Sequence, residues 1–487
     1  MDEFRGRDLE AECWDPHAPD TTFRSVLRLD DSNNGTLKLA GTSDALISFD
    51  SDRITLFGRL RNSYDYRFTL FNVVMTRGPT PRLGQNEHGT FEAEFVTNNI
   101  AIGTHVGSEE EPIVASALLV PTGLSEWCST IGIAGRLSWS QTGELATESV
   151  NIAFQATATP FYDIGSGRKL RFLSQYRGPV VFGNSKTVSM KEYNSIHLDF
   201  GQLISINEVV REVQVWQTFL TFALRRASYT DELRLNCLNE NNNSFGTALL
   251  LPGRKESGAS RPRRGGPFFD QAKLGGKIGD YLKAWADRQQ QIEIPMLLFS
   301  AAYYQAQSYV HANLLSYLQA LELLHREFFD AHRFPDEKTR KDTIDSLRKA
   351  IPGDLDKELR EALSQGIGFI GSLTLLERLR GLYSAYRKSV TPLFPRGDDD
   401  MKFLKDARNF LTHYGSPQGL TKEFLISREI AVLTEKTRLF FEICLLGTLG
   451  ASDDEITNLL SWFEPYSGWQ RESHVWPPKS TANNSDS

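Results

Sequence analysis

The segment Arg408-Asn409-Phe410-Leu411-Thr412-His413-Tyr414-Gly415-Ser416-Pro417 decides how the second half of this chain is read. Phe403, Ala407, Phe410, Leu411 and Tyr414 recur on one helical face, while Lys402, Asp406, Asn409 and His413 fall on another. Gly415 and Pro417 then end the helix, because glycine accepts the left-handed turn after a last helical residue and proline cannot continue the hydrogen-bond ladder. The polar set Arg408, Asn409 and His413 therefore stands off the apolar stripe, close to a helix end.

Helical spacing continues on both sides. Residues 294–329 contain no glycine and a single proline, Pro295, near the start, which predicts one long helix. Further helices are expected over 335–350, 357–365, 373–389, 399–414 and 422–449, joined by short turns into an antiparallel bundle over 291–462, with a flexible polar tail at 464–487.

Upstream the pattern changes to short β-type runs at 36–40, 53–60, 66–74, 91–96, 113–120, 151–156, 169–173 and 179–182, separated by Gly, Asn, Asp and Pro. Many short strands predict a β-rich, sandwich-like domain over 1–285, either a sandwich or a barrel. The runs 53–60 and 66–71 alternate apolar and polar residues, as strands with one wet face do, and Asn62-Ser63-Tyr64-Asp65 predicts a hairpin turn between them. A helix is expected at 207–226, where Val209, Val213, Trp216, Phe219 and Leu220 share a face, with two more strands after it. Residues 252–279 are rich in Gly, Ser and Arg and read as a mobile loop. The fold class is thus α+β multidomain, with β structure first and a helical bundle second.

At 487 residues the chain exceeds what one core supports, so more than one domain is expected. With 40% hydrophobic and 24% charged residues it has the balance of a soluble globular protein. A net charge of −7 argues against a protein that coats nucleic acid, because such affinity comes from neutralising phosphates; any RNA contact must be local. The start Met1-Asp2-Glu3-Phe4-Arg5-Gly6 lacks the basic and apolar regions of a secretory signal. The apolar runs 294–304 and 439–451 are too short to span a bilayer, and Glu442 interrupts the second. Cys13, Cys128, Cys237 and Cys444 lie far apart without a C-x-x-C pair, so they read as small buried hydrophobes rather than zinc ligands. A cytoplasmic protein is the expectation.

An Arg followed by His after four to six residues occurs at Arg82…His88, Arg326…His332 and Arg408…His413, where about two chance matches are expected. Only the third has an Asn after the Arg, a helical setting and a helix stop after the His. Taken alone, a histidine near a helix end is also what the helix dipole favours. Residues five apart on a helix point about 140° apart, so Arg408 and His413 do not share a face, whereas Asn409 and His413 nearly do. Either Arg408 reaches around the flank, or two copies of the helix pair.

The Arg408-Asn409…His413 motif resembles the R-N-x-x-x-H signature of HEPN ribonucleases (higher eukaryotes and prokaryotes nucleotide-binding domains). The whole arrangement, a β-rich front half with this bundle behind it, resembles the ApeA-type proteins of anti-phage, abortive-infection defence. In the bundle the resemblance covers 291–462; in the front half it rests on strand pattern and domain order. It implies a metal-independent endoribonuclease without a cofactor, acting as a homodimer or larger homo-oligomer on RNA, with transfer RNA anticodon loops as substrates. Arg408, Asn409 and His413 would be its catalytic residues. No G-x-x-x-x-G-K-[S/T], G-x-S-x-G or H-E-x-x-H pattern offers another chemistry.

Glu322 is a charge within the apolar stretch 318–324; it reads either as a partner of Arg408 across the bundle or as a rim carboxylate. Arg254, Lys255, Arg261, Arg263 and Arg264 read either as a guide for RNA or a phage-encoded activator, or as a solvated linker. Two other functions compete with a nuclease. One is a non-catalytic binding or sensing protein whose helical half only dimerises, the other a carbohydrate-active β-sandwich with paired carboxylates.

Overall fold

Alternating burial builds the first strands, β1 (Asp8–Trp14), β2 (Thr22–Leu29), β3 (Gly35–Thr42), β4 (Ile54–Leu60), β5 (Arg67–Arg82) and β6 (Thr90–Thr97). In β2, Phe23, Ser25, Leu27 and Leu29 are buried while Thr22, Arg24 and Arg28 are exposed, the two-residue period of a strand with one wet face. The computed structural model describes residues 5–42, 54–61, 66–82, 90–128, 133–139, 147–181, 188–239, 241–251, 267–305, 309–329, 333–413, 424, 427–463 and 466–468. It divides into two units, Met1–Asp287 and Arg288–Ser487.

The strands of the first unit run in the antiparallel order β5-β4-β1-β2-β3-β6, and β6 pairs back onto β5. That pairing closes a six-stranded barrel, which settles the choice left open between sandwich and barrel. Phe23, Leu27, Leu37, Leu39, Phe68, Leu70, Phe91 and Phe95 fill its interior. Gly58 stands opposite Phe68, and a Cβ there would lie 2.2 Å from the Phe68 ring, so this strand position has room only for glycine. The predicted turn at 62–65 lies outside the described residues, but β4 and β5 pair antiparallel on either side of it. The spacing did not single out β1.

Beyond the barrel the sheet continues from β5 through β7 (Asn99–Ile102), β15 (Ser244–Leu250), β14 (Thr230–Leu238), β8 (Val114–Pro121), β13 (Val188–Ile204), β12 (Lys169–Val181) and β11 (Tyr162–Asp163). A separate pair is formed by β9 (Ile133–Trp139) and β10 (Thr147–Phe154). Against the extension lie α1 (Leu124–Trp127) and α2 (Ile206–Leu224). A capping box between Ser205 and Glu208 starts α2, and its buried face is Val209, Val213, Trp216, Phe219 and Leu220, as the spacing predicts.

The reading of 252–279 as a mobile loop needs correction in its second part. Residues 252–266 lie outside the described residues, but Phe268 and Phe269 are buried, and α3 (Gln271–Leu274) and α4 (Ile278–Asp287) follow. Both rings pack against Phe222, and Phe219 and Phe222 in turn meet Trp285 of α4. Burying each such ring contributes on the order of 2 kcal/mol, which outweighs the loop composition around the pair.

The second unit comprises α5 (Gln289–Tyr304), α6 (Val310–Phe328), α7 (Glu337–Lys349), α8 (Lys357–Gly368), α9 (Leu375–Ala385), α10 (Arg387–Val390), α11 (Asp398–His413), α12 (Arg428–Thr448) and α13 (Asp453–Ser461). The expected single helix over 294–329 is two. Gln305 and Tyr309 are both extended, and α5 and α6 pack on each other, with Phe299 against Tyr317 and Phe441. The span 373–389 likewise divides at Tyr386. Helix α12 is buried on nearly every side from Lys436 to Leu446, and its buried Leu433, Phe440, Phe441, Ile443 and Leu446 are joined by the buried charges of Lys436, Arg438 and Glu442. The polar tail also needs correction at one place: Tyr466 is fully buried. All four cysteines are free thiols and buried.

Candidate active site

Helix α11 is fixed at its start by charge. Asp398 accepts from Arg380 of α9 and pairs with Lys402 at 2.9 Å, and these cations hold its carboxyl down to about 2. Asp400, buried, accepts from Arg396 Nη2 at 2.7 Å and Nε at 3.0 Å. Acidic residues in a first turn also face the positive end of the helix dipole. Met401, Leu404, Ala407 and Phe410 form the buried stripe, with α6 and α9 as neighbours. The expected stripe is therefore rotated slightly: Phe403 and Leu411 are only half-buried, Phe403 standing edge-on to Phe424 at 5.8 Å, and Tyr414 lies outside the described residues.

This rotation leaves Arg408 half-buried on the flank. Its Nη1 donates to Asn409 Oδ1 at 3.3 Å, and among the described residues it pairs with no carboxylate. Asn409 is half-buried too, and Thr412 Oγ1 donates to the carbonyls of Arg408 (2.9 Å) and Asn409 (3.3 Å), tightening the last turn. His413 is the last residue of α11, one turn beyond Asn409 on the same face of the helix backbone. The Arg408 guanidinium thus leans toward its neighbour Asn409.

Of the two readings of Glu322, the pairing with Arg408 is not formed among the described residues. Glu322 Oε1 accepts from Arg326 Nη2 at 2.7 Å, one turn along α6, and stands 4.0 Å from Arg378 Nε of α9. An i,i+4 pair forms locally without any demand on the rest of the bundle, and it holds the carboxylate there. Of the two other Arg…His spacings, His88 and His332 lie outside the described residues, as do Arg254, Lys255, Arg261, Arg263 and Arg264.

Spacing alone also missed His325. It is buried, stacked on Phe329 at 5.1 Å, and its Nδ1 lies 3.3 Å from Arg378 Nη1. A guanidinium has no acceptor, so Nδ1 accepts. Burial and then the Arg378 charge hold this imidazole below its usual value of 6.5. A base whose folded pKa is depressed contributes full stability above its unfolded value and loses it as pH falls below that value. The thermal midpoint of the helical unit is therefore expected to fall as pH drops from about 7 toward 5. His325→Gln should flatten that slope; an unchanged slope in this variant would assign the effect elsewhere.

The profile of the ApeA N-terminal domain 1 matches residues 10–285, more than half of the chain, and that of the Apea-like HEPN domain matches residues 315–455. This chain belongs to the ApeA family. Arg408, Asn409 and His413 all fall inside the HEPN match, which places the helical half among the HEPN-type nuclease domains of anti-phage defence. Neither a curated protein nor a solved structure matches the chain. Among the described residues no helix is long and apolar enough to cross a membrane.

Proposed function

We propose that the chain is a metal-independent RNA endonuclease whose reacting groups are Arg408, Asn409 and His413. The observation that carries this reading is the Arg408 guanidinium, free of any described carboxylate, bonded to Asn409 one turn ahead of His413. A planar, permanently charged guanidinium holds two phosphate oxygens and stabilises the charge that develops on them. Imidazole titrates near neutrality and moves protons at physiological pH. In the proposed step a base removes the ribose 2′-OH proton, the 2′-oxygen forms a bond to phosphorus, and the bond from phosphorus to the 5′-oxygen breaks as an acid protonates that oxygen. The products are a 2′,3′-cyclic phosphate and a 5′-hydroxyl.

One His413 per chain supplies one proton-transfer group, so the reading includes a two-fold dimer in which one His413 is base and the other acid. Transfer RNA anticodon loops are the proposed substrates, by family likeness. In this reading the β-rich half senses infection, through a phage-encoded activator, and the basic residues Arg254, Lys255, Arg261, Arg263 and Arg264 guide RNA.

Incubation of the purified chain with total RNA, followed by mapping of fragment ends, tests the chemistry. Discrete cyclic-phosphate ends that persist in EDTA are expected; intact RNA, or cleavage abolished by chelator, would reject it. Light scattering is expected to give a mass of at least twice 54.9 kDa. A strict monomer that still cuts RNA would reject the shared site.

A further inference from the structure

The outer face of the barrel carries an open groove of about 820 Å³ that crosses β1, β2, β3 and β6, with Arg61 and Arg77 at its two ends. Among the outward residues of its lining only Val26 and Ala40 are apolar, and the rest are charged.

Strand register sets these charges in bands of alternating sign. Glu10 of β1 stands opposite Val26 of β2, Val26 opposite Lys38 of β3, Lys38 opposite Glu94 of β6, and Glu94 opposite Arg77 of β5. In the neighbouring row Glu12, Arg24, Ala40 and Glu92 follow on the same four strands. A line across the face therefore meets acid (Glu10, Glu12), base (Arg24, Lys38), acid (Glu92, Glu94) and base (Arg77).

The last band is made by a break in the strand pattern. Met75 opposes Phe95 and packs with it on the barrel core, so regular alternation would turn Thr76 outward and Arg77 inward. Register shifts on both sides of Arg77 instead set it opposite Glu94, exposed at the groove. Re-aiming a side chain is what a β-bulge does, and bulges collect beside functional sites.

The charges of the groove are also left open. Glu12 accepts from Arg61 Nη2 at 2.6 Å and from Arg59 Nη2 at 3.2 Å. Lys38 and Glu94, and Glu94 and Arg77, are direct cross-strand neighbours of opposite sign, an arrangement that favours pairing. Yet among the described residues the side chains of Glu10, Arg24, Lys38, Arg77 and Glu94 close no ion pair or hydrogen bond. Their heads face the groove instead.

A polyanion entering here meets three glutamates, and an apolar ligand finds only Val26 and Ala40. The spacing suits a polypeptide. Neighbouring strands lie roughly 4.8 Å apart, so the acidic bands flank the Arg24 and Lys38 band at roughly 7 Å on either side. An extended chain presents every second side chain on one side at the same interval of roughly 7 Å.

We propose that this groove docks an extended segment of a partner polypeptide whose outward residues alternate base and acid. Its acids lie over Arg24 with Lys38 and over Arg77, and its bases over Glu10 and over Glu92 with Glu94. The groove shares no residue with Arg408, Asn409 or His413, so docking here stands or fails apart from the nuclease reading.

Fluorescence anisotropy of labelled heptapeptides titrated with the full chain at low salt tests it. Lys-Ser-Glu-Ser-Lys-Ser-Glu is expected to bind with a Kd below about 1 mM, and more weakly as salt is added. Lys-Ser-Lys-Ser-Glu-Ser-Glu has the same composition and net charge in the wrong order, and it should bind about tenfold more weakly. Arg24→Glu combined with Lys38→Glu should weaken the alternating peptide at least about tenfold and favour Lys-Ser-Lys-Ser-Lys-Ser-Lys, while Arg77→Ala should weaken the alternating peptide about threefold. These side chains face solvent, so the dichroism spectrum should not change. Arg408→Ala should bind like the parent even where RNA cleavage is lost. No binding up to about 1 mM, equal binding of the wrong-order peptide, tighter binding of Glu-Ser-Glu-Ser-Glu-Ser-Glu, or indifference to the Arg24 and Lys38 changes would overturn the proposal.

Discussion

Arg408→Ala and His413→Ala are each expected to reduce RNA cleavage by about 10²–10⁴-fold, the usual loss when a general acid or base, or a partner of transition-state charge, is removed. The fold should survive the first change, because Arg408 stands half-buried on the flank of a stripe made by Met401, Leu404, Ala407 and Phe410. Its only described side-chain bond is to Asn409. No core cavity opens, and such flank substitutions cost little stability. Arg408→Lys should recover little activity, since an ammonium lacks the fork that holds two oxygens. His88→Ala and His332→Ala serve as controls with the same loose spacing from an Arg, and they should keep full cleavage. Fragment yield from total RNA, measured beside a circular dichroism spectrum, decides the matter. Active Arg408 and His413 variants together with silent controls would sink the assignment.

Arg438→Met should lower the stability of the helical unit by about 3–5 kcal/mol, the cost of removing one partner from a buried ion pair. Arg438 and Glu442 lie one turn apart on α12, with side chains 7% and 0% exposed and 3.9 Å between Nε and Oε1. Glu435, which also meets Arg438, is 47% exposed and can return to solvent. Glu442 cannot, so its carboxylate stays desolvated when the cation is gone. The double change Arg438→Met with Glu442→Leu replaces charge by apolar volume and should recover most of the loss. Urea unfolding followed by far-ultraviolet dichroism measures both. A single variant within about 1 kcal/mol of the parent would show that the pair is solvated or compensated elsewhere.

Some of this architecture was legible in local spacing. Val209, Val213, Trp216, Phe219 and Leu220 recur at the period of one helix face, and α2 buries them. Strands β3, β4 and β6 fall where β-type runs occur between turn residues. Other parts were not legible, for identifiable reasons. Residues 294–329 lack any breaker strong enough to reveal the division between α5 and α6. Phe268 and Phe269 sit in a loop-like composition, and only the facing Phe222 makes them core.

The sequence by itself determined what depends on near neighbours: the change from a two-residue to a helical period along the chain, and the placing of Arg408, Asn409 and His413 in the last turns of one helix. Those features are set by spacings of two to five residues, within reach of a local rule. Tertiary structure alone decided the closure of the barrel by β5 on β6, the rotation of the α11 stripe, and the meeting of Arg378 with His325 across 53 residues. Such contacts join segments with no sequence relation, and they form only when burial of the whole core offsets the entropy of bringing those segments together.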